Sequence, residues 1–156
     1  MTDTRDVETV ERTIPQPPEA IFAFLADPRR HHDIDGSGAV RDAKSAPERV
    51  ELGDQFSMAM RLGFPYTMVS TIIEFEENRR IAWQSRSPGL TGRFTGGRIW
   101  RYELEPVGDG TRVRETWDIS QERGIKFLLR AGRVHKHTRE AMETTLENIE
   151  KLLANA

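Results

Sequence analysis

Cysteine does not occur anywhere in the 156-residue chain. Its absence excludes disulfides, thiolate nucleophiles and Cys-ligated zinc or iron–sulfur centres, and it fits a reducing compartment. Long apolar runs are missing too: no stretch approaches the length that spans a bilayer. The N-terminal MTDTRDVETVERT is polar and mixed in charge, unlike a signal peptide or an anchor, so a cytoplasmic location is the expectation. Nor does one sign of charge dominate. A formal net charge of −2 gives no general pull towards nucleic acid. No Gly-x-Ser-x-Gly elbow marks a hydrolase nucleophile. SPGLTGRFTGG (Ser87–Gly97) holds four glycines but matches neither the Walker nor the dinucleotide pattern. It reads as a flexible hairpin connection or as a mobile gate.

What is present fits a globular domain over residues 1–156, with 37% hydrophobic and 31% charged residues. Asp6–Ile14 alternates with the period of a strand. Pro15, Pro17 and Pro18 stop it. PPEAIFAFLADP then predicts a short helix with Pro18 in its first turn, Ile21, Phe22 and Leu25 on one face, and Pro28 ending it. DPRRHHDIDGSG (Asp27–Gly38) follows, polar and ending in loop residues. From there to Ser120, strand-like runs alternate with turn signals at Gly53-Asp54, Gly63-Phe64-Pro65, Glu77-Asn78-Arg79 and Gly108-Asp109-Gly110. The last third changes period: Ala141, Met142, Thr145, Leu146, Ile149, Leu152 and Leu153 share a helical face. Ile125, Leu128 and Leu129 share another, and Gly132 between them predicts a break before a helix from about Val134. The whole predicts an α+β domain: an antiparallel meander with one face covered by the terminal helix.

Four segments carry a family resemblance: PQPPEAIFAFLADP after the first strand, VELGDQF entering the sheet, the hairpin IIEFEENRRIAWQS, and RYELEPVGDGTRVRETWD. In this order, with the terminal helix, they resemble the START-like (SRPBCC, birch-pollen-allergen-like) superfamily, and within it the polyketide cyclase/dehydrase and lipid-transport proteins. The resemblance implies a helix-grip fold, with a curved antiparallel sheet of about seven strands around a long C-terminal helix and one or two short helices after strand one. It implies a cavity between sheet and helix for a lipid- or polyketide-like molecule. Some members are cyclases or dehydratases and many only bind. Relatives often carry a tryptophan after the first helix, where this chain reads HHDIDG.

Candidate chemistry is sparse. His31 and His32 are adjacent and diverge, and His135 and His137 lie roughly 200° apart on a helix, so neither pair has the spacing of a helical metal site. They read as polar surface histidines, with His31 and His32 on a polar wall or rim as candidates for ligand polarity and pH response, and Ile34 the inward anchor of that segment. No metal and no cofactor is expected. Strand alternation places Trp100, Tyr102 and Leu104 on one apolar face, and Val113, Glu115, Trp117 and Ile119 on another. Glu115 is the anomaly, because a buried carboxylate needs a partner or a shifted pKa. It is a ligand-orienting or acid/base group, an ion-pair partner of an arginine, or a residue nearer the sheet's edge. The expected cavity lining is Phe56, Met58, Met60, Trp83, Trp100, Tyr102, Glu115 and Trp117 from the sheet, and His135, Thr138, Met142 and Thr145 from the helix. Met68 and Ile72 join it unless the strand phase brings in Val69 and Ile73. Candidate proton-transfer groups are Glu115, Tyr102 and His135. Finally, Arg123, Lys126, Arg130, Arg133 and His137 form a basic stripe, which is a solvated face or a transient contact for an anionic membrane. Interleaved aromatics are lacking, so nucleic acid is not expected. The expected partner is a hydrophobic small molecule, and the chain is a monomer or a homodimer.

Overall fold

The computed structural model describes residues 3–156. In chain order it contains β1 (Val7–Ile14), α1 (Pro18–Leu25), α2 (His31–Ile34), β2 (Val40–Ser45), β3 (Gln55–Leu62), β4 (Phe64–Glu76), β5 (Arg80–Arg86), β6 (Gly96–Val107), β7 (Gly110–Asp118), α3 (Lys126–Leu129) and α4 (Gly132–Ala154). The seven strands form one antiparallel sheet in the order β1-β7-β6-β5-β4-β3-β2. This is the helix-grip architecture expected from the sequence, with the curved sheet holding α4 against its inner face.

The turns explain the meander. Asn78 and Gly108 hold positive φ, 61° and 58°, at the tips of the β4–β5 and β6–β7 hairpins, where tight antiparallel connections need left-handed residues. Alternation then decides which side chains face α4. Phe56, Met58 and Met60 pair with Ser70, Met68 and Tyr66, and Ile72 pairs with Trp83. This fixes the phase of the long strand: Met68 and Ile72 lie with the buried set, and Ile73, the extra residue of a bulge, is exposed. The outer face carries cross-strand ion pairs instead, among them Arg101–Glu74 at 2.5 Å and Arg112–Glu105 at 2.6 Å. Such pairs add little stability but keep that face charged.

The core joins α1 and α4 to the sheet through Ile21, Phe22, Leu25, Met142, Leu146 and Ile149, all buried. The corner after α2 docks on α4. The Gly36 N–H donates to Thr145 Oγ1 at 2.9 Å, and Asn148 Nδ2 donates to the Ile34 carbonyl at 3.1 Å. Here glycine is required by proximity, because a Cβ on Gly36 would lie 2.1 Å from the Ala141 carbonyl oxygen.

Three expectations need correction at the C-terminal end. The long helix starts at Gly132, after an extended Ala131, rather than near Val134. Leu152 is exposed in its last turn while Leu153 packs on the core. Most instructive is the apolar face ascribed to Ile125, Leu128 and Leu129. Only Leu129 meets the core, and Ile125 and Leu128 face solvent.

Candidate functional site

The inner face of the sheet ends in a polar pair. Tyr102 on β6 and Glu115 on β7 are register partners, and the Tyr102 hydroxyl donates to Glu115 Oε1 at 2.7 Å. Both side chains are buried. The other carboxyl oxygen, Oε2, is buried with no hydrogen-bond partner among the described residues. No arginine reaches Glu115, and β7 is flanked on both sides, so of the three roles open to this residue neither the ion pair nor the edge position applies. Burial pushes its carboxyl up to about 8, against the opposing effect of the Tyr102 hydrogen bond and with a further push from the Asp35 charge. Burial, then the Glu115 charge, likewise raises the Tyr102 phenol well above its ordinary value. Near neutral pH the dyad is therefore mainly uncharged. Tyr102 occupies Oε1, and the carboxyl proton belongs on Oε2 as an unused donor.

An aromatic stack leads away from this dyad. Tyr102 stacks on Trp83 with centroids 5.6 Å apart, and Trp83 stacks on His31 at 4.8 Å. Phe56 packs edge-on against both Trp83 and His31. The surface reading of His31 is therefore overturned. The side chain is buried, its Nε2 lies 3.0 Å from the Leu25 carbonyl, and burial lowers its pKa. Since a carbonyl only accepts, Nε2 carries the proton. His32 is exposed beside Asp33, at 3.0 Å. His31 and Ile34 are one helical turn apart and share the buried side of α2, a run too short to show a period in sequence.

On α4, His135 Nδ1 lies 3.1 Å from Glu8 Oε1, and Arg139 donates to the other Glu8 oxygen at 3.1 Å. A carboxylate only accepts, so Nδ1 carries the proton in the neutral ring and Nε2 is left as a bare acceptor. That Nε2 is buried and has no partner among the described residues, and the ring packs edge-on against Trp117 at 5.3 Å. Thr138 is half-buried between His135 and Met142, which is buried. Thr145 has a structural use instead, tied to Gly36 and to the Ala141 carbonyl.

The lining grades from closed to open. Phe56, Met58, Trp83, Tyr102, Glu115, Trp117 and Met142 are buried, whereas Met60, Tyr66, Met68, Trp100, Val134 and Thr138 are partly exposed. The deep half is thus closed by its own side chains, and exposure grows towards the end of the sheet at the β3–β4 turn. Arg98 stands there, two residues before Trp100 on β6, bonded to the buried Glu122 by two contacts of 3.3 Å. The alternation that placed Trp100, Tyr102 and Leu104 inward also marks Arg98, by parity alone. Below it Ser70 and Ser85 share a buried hydrogen bond of 2.8 Å. Among the described residues no group of three or more His, Asp and Glu gathers as metal ligands.

Comparison with known proteins agrees with this architecture. Two uncharacterized proteins of Mycobacterium tuberculosis strains are 33% and 32% identical to the chain over 139 residues, 85% of its length. The chain spans only 58% of the length of each. Among solved structures, a protein from Mycobacterium smegmatis superimposes with a TM-score of 0.70 at 17% identity, covering 99% of this chain and 96% of that one. A protein from Arthrobacter aurescens gives 0.73 at 13% identity, covering 96% and 87%. A protein from the dynemicin biosynthetic locus gives 0.67 at 14% identity, covering 96% of this chain and 47% of that one. The family model described as "Polyketide cyclase / dehydrase and lipid transport" matches residues 7–154. From strand β1 to the end of α4, the chain belongs to the polyketide cyclase/dehydrase and lipid-transport family.

Proposed function

We propose that the protein binds an apolar or amphipathic small molecule between the sheet and α4, with Glu115 as the group that orients it. One observation carries this reading: a carboxyl oxygen, Glu115 Oε2, is buried on the inner face beside Tyr102 with no partner among the described residues. An unsatisfied buried polar group costs roughly 1–3 kcal/mol. A ligand oxygen that accepts from Oε2 recovers that cost. His135 Nε2 is complementary, an acceptor that suits a ligand hydroxyl. The favoured ligand is therefore mostly apolar, with one carbonyl-type oxygen and one hydroxyl. Met58, Met60, Met68 and Met142 line the route, and their unbranched side chains repack at little cost when the cleft opens.

The same dyad favours a second reading, a cyclase or dehydratase. A carboxyl raised to about 8 is a competent proton donor near neutrality, and positioning a reactive chain against it supplies much of the remaining catalysis. In that role Glu115 protonates a substrate oxygen while Tyr102 holds its other oxygen still.

Titration of the delipidated protein with a fluorescent fatty acid or a polycyclic aromatic ketone tests the binding reading. Glu115→Gln keeps a donor and is expected to hold the ketone, while Glu115→Leu is expected to weaken it about tenfold, the worth of one buried hydrogen bond. Failure of the parent to bind either probe removes the reading. Equal affinity of the ketone for the parent and Glu115→Leu removes Glu115 from it. Turnover by the parent that Glu115→Gln abolishes without loss of binding selects the enzyme.

A further inference from the structure

Helix α3 faces the wrong way for a core element. Its charged residues point to the protein: Lys126 Nζ lies 3.2 Å from Asp6 Oδ2, and the next residue after the helix, Arg130, donates to Asp6 at 2.6 and 3.0 Å. Asp6 is buried beneath them. Of the three apolar residues of α3, Leu129 meets the core, while Phe127 and Leu128 point outward, 73% and 54% exposed. Two of the five residues in the basic stripe are thus neutralised inside, and the solvent-facing side of this turn is hydrophobic.

A second loop shares this surface. The β5–β6 connection exposes Leu90 (74%) and Phe94 (72%). It is tied to the segment before α3, because the Arg123 N–H donates to the Gly96 carbonyl at 2.8 Å and its guanidinium to the Arg93 carbonyl at 2.9 Å. Both segments lie at the end of the sheet where its inner face is partly exposed, since β5 ends, β6 begins and β7 ends there.

Charge is concentrated at the same place. Residues 86–98 and 119–137 together hold eight Lys and Arg against one acidic residue, Glu122, in a chain whose net charge is −2. Glu122 is buried against Arg98. Arg86, Arg93, Arg123, Arg133 and Lys136 have no carboxylate partner among the described residues. A complementary surface must accept large apolar side chains and attract cations at once. Apolar tips rising from among cations match the boundary between anionic headgroups and acyl chains. A protein interface core, by contrast, is depleted of charge.

We infer that α3 and the 89–94 loop form one docking surface for an anionic phospholipid bilayer, into which Phe94, Phe127, Leu90 and Leu128 insert while Arg93, Arg123, Arg133 and Lys136 meet the headgroups. This stands apart from the ligand reading, which is tested in solution without vesicles.

Flotation with phosphatidylcholine vesicles, with and without phosphatidylglycerol, tests the inference. The parent is expected to float only with phosphatidylglycerol, and to be released when salt rises from about 0.1 M to about 1 M. Phe94→Ser/Phe127→Ser, at two exposed positions, is expected to leave the thermal midpoint unchanged and to weaken binding at least about tenfold. Arg93→Glu/Arg133→Glu is expected to weaken it similarly. Binding that survives the double serine variant overturns the inference, as does no binding to anionic vesicles. Dimerisation that Phe127→Ser abolishes, without vesicle binding, assigns the face to a second copy. Binding of polyglutamate but not of vesicles assigns it to an acidic protein.

Discussion

Glu115 is where a single proton is felt by the entire fold. Its carboxyl is raised from 4.5 to about 8, so the folded chain holds this proton more tightly than the unfolded chain does. The contribution of Glu115 to stability is thus complete below about pH 4.5, declines as pH rises, and is lost once pH passes about 8. His31 acts with the opposite sign: burial depresses its pKa below 6.5, so its contribution is lost as pH falls from there. Comparing parent with Glu115→Gln cancels the His31 effect. Urea midpoints measured between pH 5 and pH 8 are expected to fall more steeply for the parent than for the variant. Parallel curves sink the assignment of a neutral carboxyl.

At the scale of elements, two contacts fix how the helices meet the sheet. The corner after α2 approaches α4 so closely that Gly36 has no room for a side chain. The obstruction is backbone, which cannot swing aside, so Gly36→Ala is expected to cost about 1–3 kcal/mol, readable as a lower denaturation midpoint. An unchanged midpoint means the corner moves freely. The second contact is Asp6, whose pKa is lowered chiefly by its hydrogen bond from Arg130, with burial opposing and Lys126 adding to it. A depressed carboxylate stabilises above its unfolded value of 3.8, and that contribution is lost as pH falls through its folded value. Asp6→Asn is expected to cost about 2 kcal/mol at neutral pH, the worth of a charged hydrogen bond, and to speed hydrogen exchange in residues 126–130. Unchanged exchange there rules out Asp6 as the clamp of α3.

For the molecule as a whole, charge is segregated rather than abundant. Despite a net charge of −2, the protein is expected to adsorb to a sulfonate cation exchanger at pH 7 in low salt, and Arg93→Glu/Arg133→Glu to flow through. Flow-through of the parent shows that the cations are too dispersed to act together. The strand periods, the hairpin turns and the terminal helix were legible in sequence because each is a local pattern. So was the inward position of Glu115, set by parity between Val113 and Trp117. Its pairing with Tyr102 required the β6–β7 register. His31 was hidden because a four-residue helix is too short to display a period, and its burial depends on Trp83 from a distant strand. The reversed orientation of α3 was hidden for a similar reason. Its own residues suggest an ordinary amphipathic turn, and only Asp6, ahead of the first strand, turns its basic side inward.

Trp83, Trp100 and Trp117 are the only tryptophans in the chain, and they stand on three adjacent strands on the face that looks towards α4. Every indole is therefore a built-in lamp on the inner face of the sheet, with no background from the outer face. Trp83 lies against an imidazole and Trp117 against another. The emission colour and intensity of the unlabelled protein thus report the dryness and occupancy of the interior directly.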